Sequence, residues 1–479
     1  MLPRMGDAQV PYALGELGWL QFQQLCDLLL ELEAGIGPEQ WEGEADRRRR
    51  VDVDRPGLRL PSLGLTVPGP VRVHAAWAAH GSPIWRAARD GEIQAIDRTR
   101  EPRFDGARIV LTSVEATPAV QRTALARVTA IEPGQRAIVL GRDELAQVVE
   151  ARPELRLRMP SLLGLRPLDG LVRDDIVARS SVDAAAAHGL ARVYVPTGAY
   201  THALGVLARY RFAVLTGPPE MGKTAAATMI ALARLSAGWE AHECRGPDDL
   251  LRALAPDRPQ LFVADDAFGS TEYRPDAAER WARDLPRILR VLDERHWLIW
   301  TSRPAPLRAG LHRVHQERGA ERFPRPGEVQ VDAGALTVAE KTLIFLRHVR
   351  AANVPSSTRL LARRVGPSVV AHPHFTPERI RRFVITRLAD LPEDGPGADA
   401  LLGMADAELA EPTEAMAASL RALAPEYRAL LVAMLDQPDG PVPERELIAV
   451  LHRHQASELT HRPVDLIDRV SDHFLRVLP

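Results

Sequence analysis

Cysteine is almost missing from this 479-residue chain, where Cys26 and Cys244 are the only two. A pair of thiols cannot supply a disulfide framework or an all-protein zinc site, so a reducing, cytoplasmic setting is the expectation. Long apolar runs are missing too. No stretch has the length of a membrane span, and the N-terminus lacks the apolar core of a signal peptide, which excludes a membrane partner. Nor is there an excess of one charge, the formal net charge being −2. That balance gives no whole-protein attraction to nucleic acid. Clusters such as Arg47 to Arg50 and Arg379, Arg381 and Arg382 leave a local contact open, although such runs are more often solvated faces. Internal repeats are not apparent. Lysine is scarce beside arginine and alanine, and with 39 prolines this bias points to GC-rich coding DNA rather than to a chemistry.

What is present describes a large folded protein. With 46% hydrophobic and 26% charged residues the chain is globular rather than disordered, and its length suffices for about three domains. The segment from Gly217 to Thr224, GPPEMGKT, fits the pattern G-x-x-x-x-G-K-[ST]. An apolar run, Phe212 to Leu215, leads into it, and an Ala-rich helical stretch, Ala225 to Leu235, follows. Strand, glycine loop and helix in this order gather backbone N–H groups and a helix N-terminus around one small concavity, which suits a polyphosphate. Gly217, Pro218, Pro219, Glu220, Met221, Gly222, Lys223, Thr224 and Ala225 are therefore expected to line a nucleotide, ATP or ADP. Lys223 would reach the β- and γ-phosphates, and the Thr224 hydroxyl would take one position on Mg²⁺. Glu220 sets a carboxylate beside anionic phosphates, and the expectation is that it points to solvent or toward another domain.

A second cluster follows at Leu261 to Asp266, LFVADD, a buried-strand pattern that ends in two carboxylates. Asp265 is assigned to the metal and Asp266 to the attacking water. A third strand, Trp297 to Trp300, ends in Thr301, Ser302 and Arg303. Arg303, whose fixed charge and planar donors distinguish a terminal phosphate from its absence, is the candidate sensor of that phosphate.

The order VLTGPPEMGKT, LFVADDAFG and IWTSR, followed by the helical EKTLIFLRHVRAANVP and HPHFTPERIRRFV, resembles the novel STAND NTPases, a branch of the AAA+-related P-loop ATPases. The likeness runs from about residue 185 to 395 and implies an α/β core with a parallel sheet, a helical lid and a nucleotide-driven switch. It also implies slow ATP hydrolysis and assembly with further copies or a partner protein in bacterial defence against phage. Pro377 and Arg379 match a Pro-Arg motif of the lid except that Glu378 intervenes, which implies Pro377 against the base and Arg379 near the phosphates. Val195 and Thr197 would line the adenine pocket through their backbone atoms.

The first 165 residues are expected to form a separate small α/β unit. Leu17, Leu20, Leu25, Leu28, Leu29 and Leu32 recur at helical spacing, predicting an amphipathic helix over residues 15–34, with strands at Val71 to Val73, Ala107 to Thr112 and Ala137 to Leu140 and a helix near 118–131. This order resembles the Mrr-like restriction-endonuclease fold, in which an Asp and a later Q-x-K or E-x-K bind Mg²⁺. Asp46 matches the Asp. His74 and Ala76 stand where Gln or Glu and Lys belong, so the nuclease site would be inactive. The competing expectation is an unorthodox metal site built from Asp46 with Glu44, Asp52 or Asp54. A third expectation is a non-hydrolysing adaptor that holds nucleotide as a structural ligand. Residues 166–335 would be the nucleotide-binding core and 336–395 the lid. A hinge at Pro396, Gly397 and Gly403 would lead into a winged-helix-like domain over 396–479, where the resemblance would bring His473 near the nucleotide; the competing and commoner expectation is a surface or core histidine. Relatives often carry a repeat array that senses the trigger. None is seen here, so sensing would fall to the N-terminal unit, to a partner, or to parts of a longer protein.

Overall fold

The computed structural model describes residues 12–40, 50–53, 57–78, 104–131, 136–269, 273–318, 326–391, 396–423, 425–435, 442–443 and 445–449. The chain divides into two compact units, Met1–Asp174 with Ala184–Arg192, and Asp175–Asp183 with Val193–Pro479. Among the described residues no helix is long and apolar enough to cross a membrane.

The first unit holds α1 (Trp19–Ala34), β1 (Arg50–Val53), the hairpin strands β2 (Gly57–Leu60) and β3 (Leu65–Pro68), β4 (Val71–Ala76), β5 (Ala107–Thr112), α2 (Pro118–Ile131), β6 (Ala137–Leu140), α3 (Arg142–Ala151) and α4 (Pro153–Arg158). Its main sheet has the order β1-β4-β5-β6, with β1 antiparallel to β4 and the remaining pairs parallel. Phe22, Leu25, Leu29 and Leu30 of α1 are buried in one core with Val73, Ile109, Leu111 and Leu140 of the sheet. The expected helix over 15–34 begins later, at Trp19. Gly18 adopts φ +85°, a conformation open to glycine, and breaks the chain there, so Leu17 belongs to the turn that precedes the helix. Leu162, beyond α4, is fully buried in this same core.

After α5 (Asp174–Arg179) and α6 (Ala184–Ala191), the second unit is built from α7 (Gly198–Tyr210), β7 (Phe212–Thr216), α8 (Lys223–Ser236), β8 (Glu240–Glu243), α9 (Pro247–Ala253), β9 (Gln260–Ala264), α10 (Pro275–Val291), β10 (His296–Ser302), α11 (Pro304–Arg318), α12 (Pro326–Val329) and β11 (Gln330–Asp332). Its five strands are all parallel, in the order β11-β7-β10-β9-β8. The three inner strands β7, β9 and β10 carry apolar runs, as strands do when helices cover both faces of the sheet. Trp300 of β10 anchors one face, meeting Phe212, Phe268 and Trp281 edge-on at centroid distances of 4.9, 5.1 and 4.8 Å.

A helical layer follows: α13 (Val338–Ala351), α14 (Ser356–Ala371), α15 (Pro377–Phe383), which runs into a π-helical turn at Val384–Leu388, and α16 (Ala398–Ala410). Phe345, Val365, Ile380, Phe383, Leu401 and Leu409 form its core. The layer therefore continues past residue 395. Gly403 lies inside α16 rather than at a hinge, and Arg387 donates to the buried Glu408 of α16 at 2.8 Å. Two further helices follow, α17 (Glu414–Ala422) and α18 (Pro425–Leu435), and Tyr427, Leu430 and Ala433 of α18 form a small cluster with Leu423 and Leu447. His473 and the segment SDHFLRV lie outside the described residues.

Candidate functional site

Three strand ends meet at the C-terminal edge of the second unit's parallel sheet, where an open α/β sheet commonly receives its ligand. The loop after β7 turns at Gly217, with φ +147°, and a Cβ there would lie 2.9 Å from the Gly334 nitrogen. A side chain at this position would be strained and obstructed at once. Gly222, with φ +85°, closes the loop and caps α8.

Lys223, the first residue of α8, is buried and donates from Nζ to the carbonyls of Gly217 and Pro218 at 2.8 and 2.7 Å. Burial pulls its ammonium down to about 8; the Asp266 and Asp265 carboxylates oppose that fall and the Arg303 charge adds to it.

The register of β10 against β9 pairs Trp300 with Ala264, so the next residues, Thr301 and Asp265, leave their strands side by side. The Thr301 hydroxyl donates to Asp265 Oδ1 and accepts the Asp266 N–H at 3.0 Å. Thr224 Oγ1 donates to that same Asp265 Oδ1 at 2.9 Å. Asp266 takes the left-handed conformation, φ +46°, uncommon for a residue with a side chain. Burial pushes its carboxyl up to about 6, the neighbouring Asp265 carboxylate adds to that, and Arg303 and Lys223 restrain it. The Arg303 guanidinium is lowered by burial and supported by the charges of Asp266 and Glu220. The loop lysine, the paired acids and the arginine are thus one electrostatic cluster. Thr301 is its unexpected member: sequence reading weighted Arg303, and the hydroxyl that joins the two acids was visible only as a residue at a strand end.

Glu220 does not point to solvent. It stands at φ +66° in the glycine loop and reaches the helical layer, its side chain 6% exposed. Thr376 Oγ1 and Arg379 Nε donate to Oε2 at 3.2 and 3.3 Å, and Thr413 Oγ1 donates to Oε1. Arg379 is thus brought to the phosphate loop, but onto its carboxylate; its other nitrogens donate to the Leu409 carbonyl and, at 3.3 Å, to Met416 Sδ. Pro377 is the first residue of α15. On the other side, Thr197 caps α7, and the next residue, Gly198, donates its N–H to Glu340 of α13 at 2.5 Å.

In the first unit, Asp52 of β1 is held by Arg72 of β4 through two bonds of 2.6 Å. His74 stands opposite Arg50, and β4 ends at Ala76. Asp46, Glu44 and Asp54 lie outside the described residues. Among the described residues no group of three or more His, Cys, Asp or Glu side chains could hold a metal.

The sequence profile of the family Novel STAND NTPase 3 matches residues 194–351, which takes in the glycine loop, the paired acids and the Thr301 to Arg303 strand end. No curated protein matches the chain. Among solved structures, the Walker-type ATPase PABY2304 of Pyrococcus abyssi is 14% identical, covering 65% of this chain and 93% of its own at a TM-score of 0.39. The structure of C. elegans PCH-2 is 13% identical, covering 50% of this chain and 71% of its own at a TM-score of 0.29.

Proposed function

We propose that the second unit hydrolyses ATP and acts as a STAND-type regulatory switch. One observation carries this reading: the Thr224, Thr301 and Asp265 side chains and the Asp266 backbone form a single hydrogen-bonded cluster beside Lys223. The profile match over residues 194–351 supports it.

A hydroxyl and a carboxylate oxygen are hard donors, and Mg²⁺ keeps several of its waters and takes few protein ligands, so Thr224 and Asp265 fit that ion. Bound there with nucleotide, Mg²⁺ would neutralise phosphate charge. Lys223 holds the β- and γ-phosphates as a compact point charge. Asp266 orients the attacking water and accepts its proton. With a carboxyl near 6 it is ionised at neutral pH yet basic enough for the task. The water oxygen bonds to the γ-phosphorus as the bond from that phosphorus to its bridging oxygen breaks, leaving ADP and inorganic phosphate. Arg303 stabilises charge on the transferred group and registers its departure. Val195, Thr197 and Pro377 flank the base. Contacts that exist only with the terminal phosphate are the ones able to bias the arrangement of core and lid, because a ligand shifts an equilibrium only by its differential affinity. Triggered assembly with itself or a partner, and a place in bacterial defence or signalling, follow from the family resemblance.

Phosphate release from ATP tests the reading. Lys223→Ala should lose nucleotide binding, and Asp266→Asn should bind but turn over at least ~100-fold more slowly, the usual scale of a lost general base. Turnover untouched by both substitutions would sink the assignment. Size-exclusion profiles with ADP, ATP and a non-hydrolysable analogue test the switch.

A further inference from the structure

We propose that Glu220 is a coupling residue: it ties the phosphate loop to the helical layer, and the phosphates of a bound nucleotide compete with it for Arg379. The proposal rests on the ATPase reading above and adds the regulation of that site. A carboxylate inside a polyphosphate-binding loop is an electrostatic conflict unless it has partners elsewhere. Glu220 has three: Thr376 and Arg379 of the helical layer, and Thr413 at the start of α17. Thr376 and Thr413 are the capping residues of α15 and α17, and each hydroxyl accepts a helix N–H, from Arg379 and Met416, while donating to Glu220. Arg379 supplies the charge, and both members of the pair are nearly buried, at 9% and 6% exposure.

The backbone underlines the point. A glutamate at φ +66° is strained where glycine would be relaxed, and such conformations persist only where surrounding contacts hold them. The contacts that hold this one are those three donors. The same donors, one guanidinium and two hydroxyls, are those that a phosphate oxygen would choose. Nucleotide arriving in the loop therefore acts on the Glu220 attachment in two ways: its charge repels the carboxylate, and its oxygens attract Arg379. Occupancy of the loop is thereby converted into a looser hold on α15 and α17.

Hydrogen exchange of the 376–383 and 413–422 amides, with and without Mg·ADP, tests the coupling in the full chain. In the wild type, Mg·ADP should speed exchange in both segments. Glu220→Gln keeps the shape and removes the charge. Without nucleotide it should already exchange about tenfold faster there, respond little to Mg·ADP, and bind Mg·ADP about tenfold more tightly. Thr413→Val, which leaves the loop untouched, should reproduce part of the exchange effect. Exchange and affinity in Glu220→Gln equal to wild type, with wild-type binding intact, would overturn the coupling alone. Failure of the wild type to bind nucleotide would instead overturn the ATPase reading beneath it.

Discussion

The Thr301 hydroxyl touches both acids of the candidate site, donating to Asp265 Oδ1 and receiving the Asp266 N–H at 3.0 Å. Thr301 is fully buried, so Thr301→Val keeps the volume and leaves an Asp266 N–H without its acceptor. The cost expected in stability is about 1–3 kcal/mol, that of an unsatisfied buried polar group. Turnover should fall with it, because Asp265 and Asp266 lose their common tether. Thr301→Ser should restore turnover. Urea unfolding and phosphate release on the three proteins check this, and a valine variant with wild-type turnover would remove Thr301 from the site.

Asp266 should trade stability for activity. Its carboxyl stands near 6 in the fold against an ordinary 3.8, so the ionised form is disfavoured by folding. The sign follows: the penalty is fully present above pH 6, and is relieved as pH falls from about 6 toward 4, where the folded state takes up its proton before the unfolded chain does. Asp266→Asn removes the penalty at neutral pH and should raise stability by about 1–2 kcal/mol once solvent screening is allowed for. Its turnover should be lost, and wild-type kcat/KM should decline below pH 6 as the proton acceptor fills. Thermal unfolding from pH 4.5 to 8 decides it; an asparagine variant no more stable at pH 8 than wild type contradicts the buried-charge account.

The chemistry of this site was legible where it depends on neighbours in sequence. The glycine loop, the two acids and Arg303 each sit at the end of an apolar strand, and each was recognised from that local pattern. Lys223 had a further mark. It is one of only two lysines in a chain with 61 basic residues, and a phosphate loop wants a compact ammonium that arginine does not supply. What was not legible depends on strand order and on distant contacts. Thr301 meets Asp265 because β10 lies between β7 and β9, an arrangement that no local pattern encodes. The partners of Glu220 are Thr376, Arg379 and Thr413, far along the chain at the starts of two helices, so its carboxylate read as an anomaly until the helices were in place. The start of α1 was missed for a smaller reason, since one glycine at positive φ outweighed a leucine pattern that ran through it.

Nucleotide binding should take up a proton near pH 8. The Lys223 ammonium is pulled down to about 8 by burial, and the arrival of phosphates favours its charged form. At pH 8 about half of the lysine is neutral beforehand and is protonated on binding, so uptake approaches about half a proton per ATP, falling toward zero at pH 6.5. Titration calorimetry in two buffers of different ionisation enthalpy reads this directly. Heats that do not depend on the buffer at pH 8 would show that Lys223 is already charged.

The first unit should not cut DNA. A metal-dependent nuclease needs a carboxylate free to hold the ion and a cation aimed at the scissile phosphate. Asp52, the one acid of the alternative metal site among the described residues, is engaged edge-on by the Arg72 guanidinium, in a pair whose arginine is 3% exposed. His74 and Ala76 on the same strand supply no lysine. Supercoiled plasmid incubated with Mg²⁺ or Mn²⁺ should stay intact, and Asp52→Asn should leave that result unchanged. Arg72→Met should cost stability instead, about 3 kcal/mol if the partly buried carboxylate is left without its cation. Nicking by the wild type that disappears in Asp52→Asn or Asp46→Ala would return the domain to the nucleases and give the ATPase a cutting effector to control.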